Sequence, residues 1–331
     1  MIRSIIVVVY LSALLVAPKA AETLKIGIVG LDTSHVIAFT RLINDSSHPD
    51  HVEGGQVIAA FKGGSPDVES SRTRVDRFTK QLQTEFGVKI VSSIPELCRQ
   101  VDAILLESVD GRPHLEQARP IIEHGLPLFI DKPIAGTLRD AVEIFRLAKE
   151  KNVPCFSSSS YRFYPSMTKL MKQDIGSVRA AISYGPCHLE PHHPDLFWYG
   201  VHPTEALFTV MGTGCQQVAR VSTNDTDIVT GQWSNGRTGA FYGLRTKSTP
   251  HKVIAFGSTG VAEQEGGGGY APLVQEIMTF FKTKHPPVSM AETIEIFAFM
   301  EAADQSKRRG GIPVDIKETI RNNGGSWFLR E

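Results

Sequence analysis

Between residues 24 and 158, short apolar segments alternate regularly with amphipathic ones, and this alternation limits the fold more than any other feature. LKIGIVG, GQVIAAF, VKIV, VDAILLES, PLFIDKP and VPCFSSS are too short for buried helices and read as strands, several of them covered on both faces. Between them lie SHVIAFTRLIN, RVDRFTKQLQTEF, SIPELCRQ, PHLEQARPIIEHG and LRDAVEIFRLAKEKN, in which apolar residues recur at helical spacing. Strand, helix and strand in repeated succession require crossover connections. The expected fold class is therefore α/β, with a Rossmann-type, doubly wound parallel sheet over residues 22–155.

After residue 156 the texture changes. SVRAAISYG, DIVTGQWSNG, RTGAFYGLRT and HKVIAFGSTG follow one another with turn residues between them, the pattern of a largely antiparallel sheet. One face is expected to be covered by the helix that begins at HPTEALFTVMG, with APLVQEIMTFFKT and MAETIEIFAFMEAADQSKR as closing helices. Residues 156–331 thus read as an α+β domain. The GGGG quartet at 266–269 lacks the Lys-Ser or Lys-Thr of a phosphate loop and reads as a connector.

Residues 1–21 place Arg3 before an apolar run and a small-residue stretch, the layout of a secretory signal peptide. The run is about 13 residues, short of the roughly 20 that span a bilayer. A secreted or periplasmic protein, free of the membrane after cleavage, is expected. Lys and Arg total 35, as do Asp and Glu, so there is no basic footprint for nucleic acid. The ligand is expected to be a small molecule. Cys98, Cys155, Cys187 and Cys215 lack CxxC spacing and read as buried small hydrophobes with at most one disulfide.

Chemistry gathers in two stretches. KIGIVGLDTSHV keeps the first glycine of the dinucleotide fingerprint G-x-G-x-x-G as Gly30 but has Asp32 and His35 at the other two positions. Asp32 is expected to accept hydrogen bonds from the free N–H groups of the following helix, as an N-cap does, so that the site holds its own anion. A carboxylate about 5 Å from a phosphate charge, at an effective dielectric of about 20, costs roughly 3 kcal/mol, or about two decades of affinity. The second strand ends AAFKGGS without an acid for the adenosine ribose; Lys62 is either a contact for the 2'-phosphate of NADP or a solvated lysine. The second stretch, CHLEPHHPDLFWYGVHPTE, holds His188, Glu190, His192, His193, Asp195, His202 and Glu205 within 19 residues. It reads either as ligands for a divalent metal or as a polar loop at the mouth of a sugar pocket. The adjacent Trp198 and Tyr199 can stack on a sugar ring or belong to the core.

The succession of DGRPHLEQA, IDKPIAGTLRDAVEIFRLAKEKNV, YRFYPSM, YGVHPTEAL and EAADQSKRRGGIPVDI resembles the Gfo/Idh/MocA oxidoreductase family over nearly the whole mature chain. The resemblance implies that Lys132 polarises the reacting hydroxyl and His202 accepts its proton, as removal of hydride from a carbinol carbon requires. It implies NAD or NADP along Gly30, Asp32, Thr33, Ser34, His35, Lys62, Glu107, Ser108 and His114, and a carbohydrate substrate near Tyr161, Arg162, Trp198, Tyr199 and Glu205. A homo-oligomer is implied as well. Two departures stand out: Asp131 replaces the family's Glu before Lys-Pro, and Trp198 replaces the Asp of its D-x-G-x-H pattern while Gly200 and His202 remain. The expected function is a secreted oxidoreductase acting on a sugar, polyol or related carbohydrate with a nicotinamide, tightly bound if export deprives it of free cofactor. Its rivals are a cofactor-independent, metal-assisted lyase or hydrolase on a keto-sugar or glycoside, and a non-catalytic carbohydrate-binding protein.

Overall fold

The computed structural model describes residues 23–246 and 248–330; the leader-like segment 1–21 lies outside the described residues. Strands β1 (Leu24–Val29), β2 (Gly55–Phe61), β3 (Lys89–Val91), β4 (Ala103–Leu106), β5 (Leu128–Asp131) and β6 (Cys155–Ser158) form one parallel sheet in the order β3-β2-β1-β4-β5-β6. Every residue of β4, β5 and β6 is buried; β4 and the first three residues of β5 are wholly apolar, and the polar Asp131, Ser157 and Ser158 come at the carboxyl ends of β5 and β6. Helices α1 (His35–Asn44), α2 (Glu69–Arg72), α3 (Val75–Phe86), α4 (Ile94–Cys98), α5 (His114–Glu123) and α6 (Leu138–Glu150) make the connections. Strand order reverses between β1 and β4, so a crevice opens at their carboxyl ends.

A turn of 3-10 helix over Ser160–Phe163 and α7 (Pro165–Met171) lead to the second sheet. Its strands are β7 (Val178–Pro186), β8 (Cys215–Ser222), β9 (Thr226–Trp233), β10 (Thr238–Leu244), β11 (Lys252–Gly257), β12 (Val261–Glu263) and β13 (Val314–Asp315), in the order β12-β11-β7-β10-β9-β8-β13. All neighbours are antiparallel except β7 and β10. Strand β8 was hidden in the sequence because an arginine points inward from it. Arg220 is fully buried and answered by Asp227 at 2.8 Å, by Asp195 at 3.1 Å and by Asp304.

Helices α8 (Val201–Met211) and α10 (Met290–Arg308) cover one face of this sheet, and α11 (Ile316–Asn322) packs beside β8 and α10. Helix α9 (Ala271–Thr283) returns to the first sheet: Leu273, Ile277 and Phe280 share a core with Ile26, Phe39, Phe129 and Phe156. Meanwhile α10 touches α6 and β6, so apolar packing holds the two halves together around the crevice. The four cysteines are free and buried, and burial pushes the Cys155 thiol up to about 12.

Candidate active site

Strand β5 ends at Asp131, and Lys132 follows it into the crevice. Asp131 is buried, with Oδ2 2.7 Å from His35 Nδ1 and 3.8 Å from Lys132 Nζ, while Oδ1 accepts the Lys132 N–H at 2.9 Å. Burial alone would raise this carboxyl, but the charges of His35 and Lys132 outweigh it and hold it down at about 2. Asp131 therefore stays anionic and orients the imidazole of His35. Sequence reasoning set His35 among the phosphate ligands; in the fold it opens α1, stacks on Phe39 at 5.1 Å and lines the same cavity as Lys132.

From the other wall α8 delivers His202, buried, with Nδ1 2.8 Å from Ser159 Oγ and its ring against Tyr161 and Tyr199. Burial, reinforced by the charge of Lys132, pushes its pKa well below the ordinary histidine value. His202 is thus neutral and able to take a proton. Ser159 is fixed in turn, because Glu205 accepts its N–H at 2.7 Å and is itself held by Ser158 and by Arg162 at 3.0 Å. Arg162 also reaches Glu292 at 2.6 Å. Arg162 and Glu205, expected beside the substrate, stand behind the wall and position His202 through Ser159.

The cavity between these walls measures about 300 Å³ and gathers Lys132, His202, Tyr161, Trp198 and Tyr199 with Thr33, Ser34 and His35. Sequence reasoning missed Ser70, Arg74, Val109, Ser160, Tyr164 and Tyr270, which also line it. The signal was faint: Arg74 lies among the polar residues before α3, and Tyr270 directly follows the glycine quartet, where Gly268 packs on Tyr164 with no room for a Cβ.

The phosphate end is built differently. Gly30 has φ +86°, and a Cβ on it would stand 2.2 Å from Ser108 Oγ, so the neighbouring loop requires this glycine. Asp32 does not cap α1, whose N-cap is Ser34 without a side-chain bond. Instead Oδ1 accepts the Val109 N–H at 2.8 Å and Oδ2 accepts the Ser71 hydroxyl at 2.6 Å; both side chains are fully buried. Ser71 Oγ also receives the Ser65 N–H at 2.7 Å, so residues 65–71 are folded down onto Asp32. Beyond this clasp lies a separate cavity of about 290 Å³ at the tip of β2, bordered by Lys62, whose Nζ is 2.6 Å from Asp76. A dinucleotide reaching from that tip to Lys132 would cross the clasp and set its pyrophosphate against a carboxylate. The NAD or NADP that the fold implies does not fit residues 30–35 and 65–74 as they are arranged.

The remaining expected cofactor residues brace loops. His114 sits 2.9 Å from the Ser108 carbonyl and 3.2 Å from that of Ile134, and Ser108 Oγ donates to Gln117 at 2.9 Å. The fully buried Glu107 carboxyl has no hydrogen-bond partner among the described residues; burial, then the charge of Asp131, push it well above the usual range. It is a neutral acid behind Lys132.

The expected metal set does not converge. His188 packs on Tyr199, and His192 is tied to Glu190 at 2.7 Å. His193 Nε2 is 2.9 Å from Asp110, within ion-pair range but off the line of a hydrogen bond. Among the described residues no three His, Cys, Asp or Glu side chains are grouped to hold a metal ion. Carboxylates of the first domain, Asp110 and Asp67, draw these imidazoles apart and dock the loop.

Residues 24–159 match the Gfo/Idh/MocA profile, described as an oxidoreductase family with an NAD-binding Rossmann fold. No curated protein sequence matches the chain significantly. The structure is similar to that of a probable dehydrogenase from Thermotoga maritima, with 19% identity, TM-score 0.72, and 90% of this chain and 100% of that one covered. It is also similar to myo-inositol dehydrogenase from Lactobacillus casei in complex with NAD(H) and myo-inositol, at 15% identity and TM-score 0.70, over 88% and 96% of the two chains. The scyllo-inositol dehydrogenase of that organism, with NAD(H) and scyllo-inositol, matches at 14% identity and TM-score 0.73 over 89% and 100%.

Proposed function

For a chain whose residues 24–159 belong to the Gfo/Idh/MocA oxidoreductase family, we propose that the crevice binds a small sugar, sugar derivative or polyol and removes the proton from one of its hydroxyls. The observation that carries this is the meeting of Lys132 with a neutral, buried His202 in one cavity. The ammonium stabilises the developing alkoxide and the imidazole takes the proton. Aromatic faces from Tyr161, Trp198 and Tyr199 suit the C–H faces of a sugar ring. The inositols held by the dehydrogenases above support a polyol-sized ligand.

Oxidation with NAD or NADP is the fate of that alkoxide that family membership supports. The Asp32–Ser71 clasp favours a second reading, proton transfer without a dinucleotide. In it one imidazole removes a proton next to a sugar carbonyl and the other, His35 on Asp131, protonates the departing oxygen, an elimination. The deciding experiment combines mass spectrometry of small molecules released on denaturation with titration of NAD(H) and NADP(H), and NMR of sugars and keto-sugars incubated in D2O. Bound nucleotide or micromolar binding supports oxidation. No binding at millimolar concentration, with deuterium entering a keto-sugar, supports elimination. Sugar binding with no turnover would reduce the protein to a carbohydrate binder.

The same proposal places the protein outside the cytoplasm, on the strength of residues 1–21, and pairs it with a second copy through the open face of the second sheet. There Val221, Ile228, Tyr242 and Tyr184 form one apolar row across β8, β9, β10 and β7, with Val221 66% exposed. Light scattering of the wild type and of Tyr242→Lys tests the pairing.

A further inference from the structure

We propose that the crevice selects a sugar acid, and that Arg74 is the residue that reads its carboxylate. This deepens the reading of the crevice as a sugar site and rests on it. The chain as a whole carries equal numbers of basic and acidic residues. The cavity does not share that balance: Arg74 and Lys132 line it, and no aspartate or glutamate does.

The nearest acids are already engaged. Asp131 is taken up by His35 and the Lys132 N–H, and Asp32 by Ser71 and the Val109 N–H. Arg74 precedes α3 and is half-buried; among the described residues its Nε donates to the Ser70 carbonyl, and it forms no ion pair. Arg74 lines the cavity together with Thr33 and Ser34 at the start of α1, where backbone N–H groups add positive potential. The buried Asp32 carboxylate is the nearest negative charge acting on this half-buried guanidinium, but Asp32 is already hydrogen-bonded to Ser71 and the Val109 N–H and makes no ion pair with it, so the planar fork of Arg74 is left to match a carboxylate.

One charge is also the right number. Lys132 is reserved for the reacting hydroxyl, which leaves a single cation for recognition, whereas a phosphate monoester brings about −1.5 to −2. The occupant is thus a polyhydroxylated ring or chain with one carboxylate, a uronate or an aldonate. The acid group would sit against Arg74 and a hydroxyl-bearing carbon between Lys132 and His202.

Calorimetric titration with galacturonate, glucuronate and gluconate, against galactose, glucose, sorbitol and galactose 6-phosphate, tests this on the full chain. At least one acid should bind about tenfold more tightly than its neutral counterpart, the usual worth of a hydrogen bond to a charged group. Arg74→Gln should bring acid and neutral sugar within about twofold of each other by weakening the acid more than the neutral sugar, and Arg74→Lys should restore part of the preference. Circular dichroism melts confirm that each variant is folded. Equal binding of acid and neutral sugars by the wild type, or a preference that survives Arg74→Gln, overturns the role of Arg74 and leaves the sugar site standing. Tighter binding of the phosphate overturns the carboxylate assignment. Binding of no sugar at all overturns both the inference and the reading of the crevice beneath it.

Discussion

The two ends of the crevice hold similar numbers of polar groups and use them in opposite ways. At the phosphate end, Asp32, Ser71, Ser65 and the Val109 N–H satisfy one another, and the result is sealed from water. At the Lys132 end, each polar group is anchored from behind, His35 by Asp131 and His202 by Ser159, and presents its other side to an open cavity. Polar groups that close on one another leave nothing for a ligand; groups held on one side only are preorganised for one. The Rossmann-type scaffold is kept here with its open polar groups concentrated at one end.

The largest expected effect lies at that open end. Lys132→Met and His202→Gln should each lower turnover of a substrate found in the sugar panel by about 10²–10⁴-fold, the range for loss of a charge stabiliser or a general base. Substrate binding should fall much less. Rates within about threefold of wild type in both variants would break the distinction between the two ends.

Next in size is the support behind His202. Glu205→Ala removes one of the two carboxylates on the buried guanidinium of Arg162, with Glu292 remaining, and should cost roughly 1.5–3 kcal/mol in denaturant unfolding. Because Glu205 stands behind the wall, Glu205→Gln should bind sugars within about twofold of wild type. A selective loss of sugar affinity in a stably folded Glu205→Gln would move this residue back to the substrate.

Much of this arrangement was legible in the sequence, and the failures have physical causes. The parallel sheet showed through because β4 and the first three residues of β5 are buried on both faces and wholly apolar. Lys132 and His202 were marked by their neighbours in the motif order. Asp32 was recognised as an anion in the phosphate site, but its partners were misassigned to α1, since Ser71 and Val109 are 39 and 77 residues away and no local pattern links them. Strand β8 escaped because Arg220 breaks its apolar face, and the aspartates that make this tolerable come from β9, α10 and the His-rich loop. The dense histidines suggested a metal because density is visible in sequence, whereas the carboxylates that draw His192 and His193 apart belong to another domain.

The closed end can be opened deliberately. Asp32→Gly combined with Ser71→Ala removes the carboxylate and the hydroxyl that clasps it, and should raise NAD(H) affinity by about two decades if phosphate repulsion is what excludes the dinucleotide. Nicotinamide fluorescence titration reads this directly. Unchanged affinity would mean that the fold of residues 65–74, and not the charge, keeps the dinucleotide out. Tight binding by the wild type would show that the clasp yields to the ligand.

The smallest effect is the pH dependence contributed by the imidazoles of the open end. His202 is pushed well below the ordinary histidine value, and burial lowers the nearby His251 to about 4. Between those values and about 6.5 these imidazoles take up protons in the unfolded chain but not in the folded one, so their contribution is complete above about 6.5 and declines as pH falls through that window. For His251 alone the span from 6.5 to about 4 sets an upper limit of about 3 kcal/mol. Asp131 acts in the same direction at lower pH, its contribution fading as pH falls from about 4 toward 2. Buried Glu295 and Asp304, both raised to about 7, act in the opposite direction, so the imidazole contribution is read by comparison: on going from pH 7.5 to pH 5 in urea unfolding, the wild type should lose more stability, or gain less, than His251→Gln. If His251→Gln left the pH difference intact, the titrating group would lie elsewhere, and the buried, neutral imidazole cluster around His202 would lose its support.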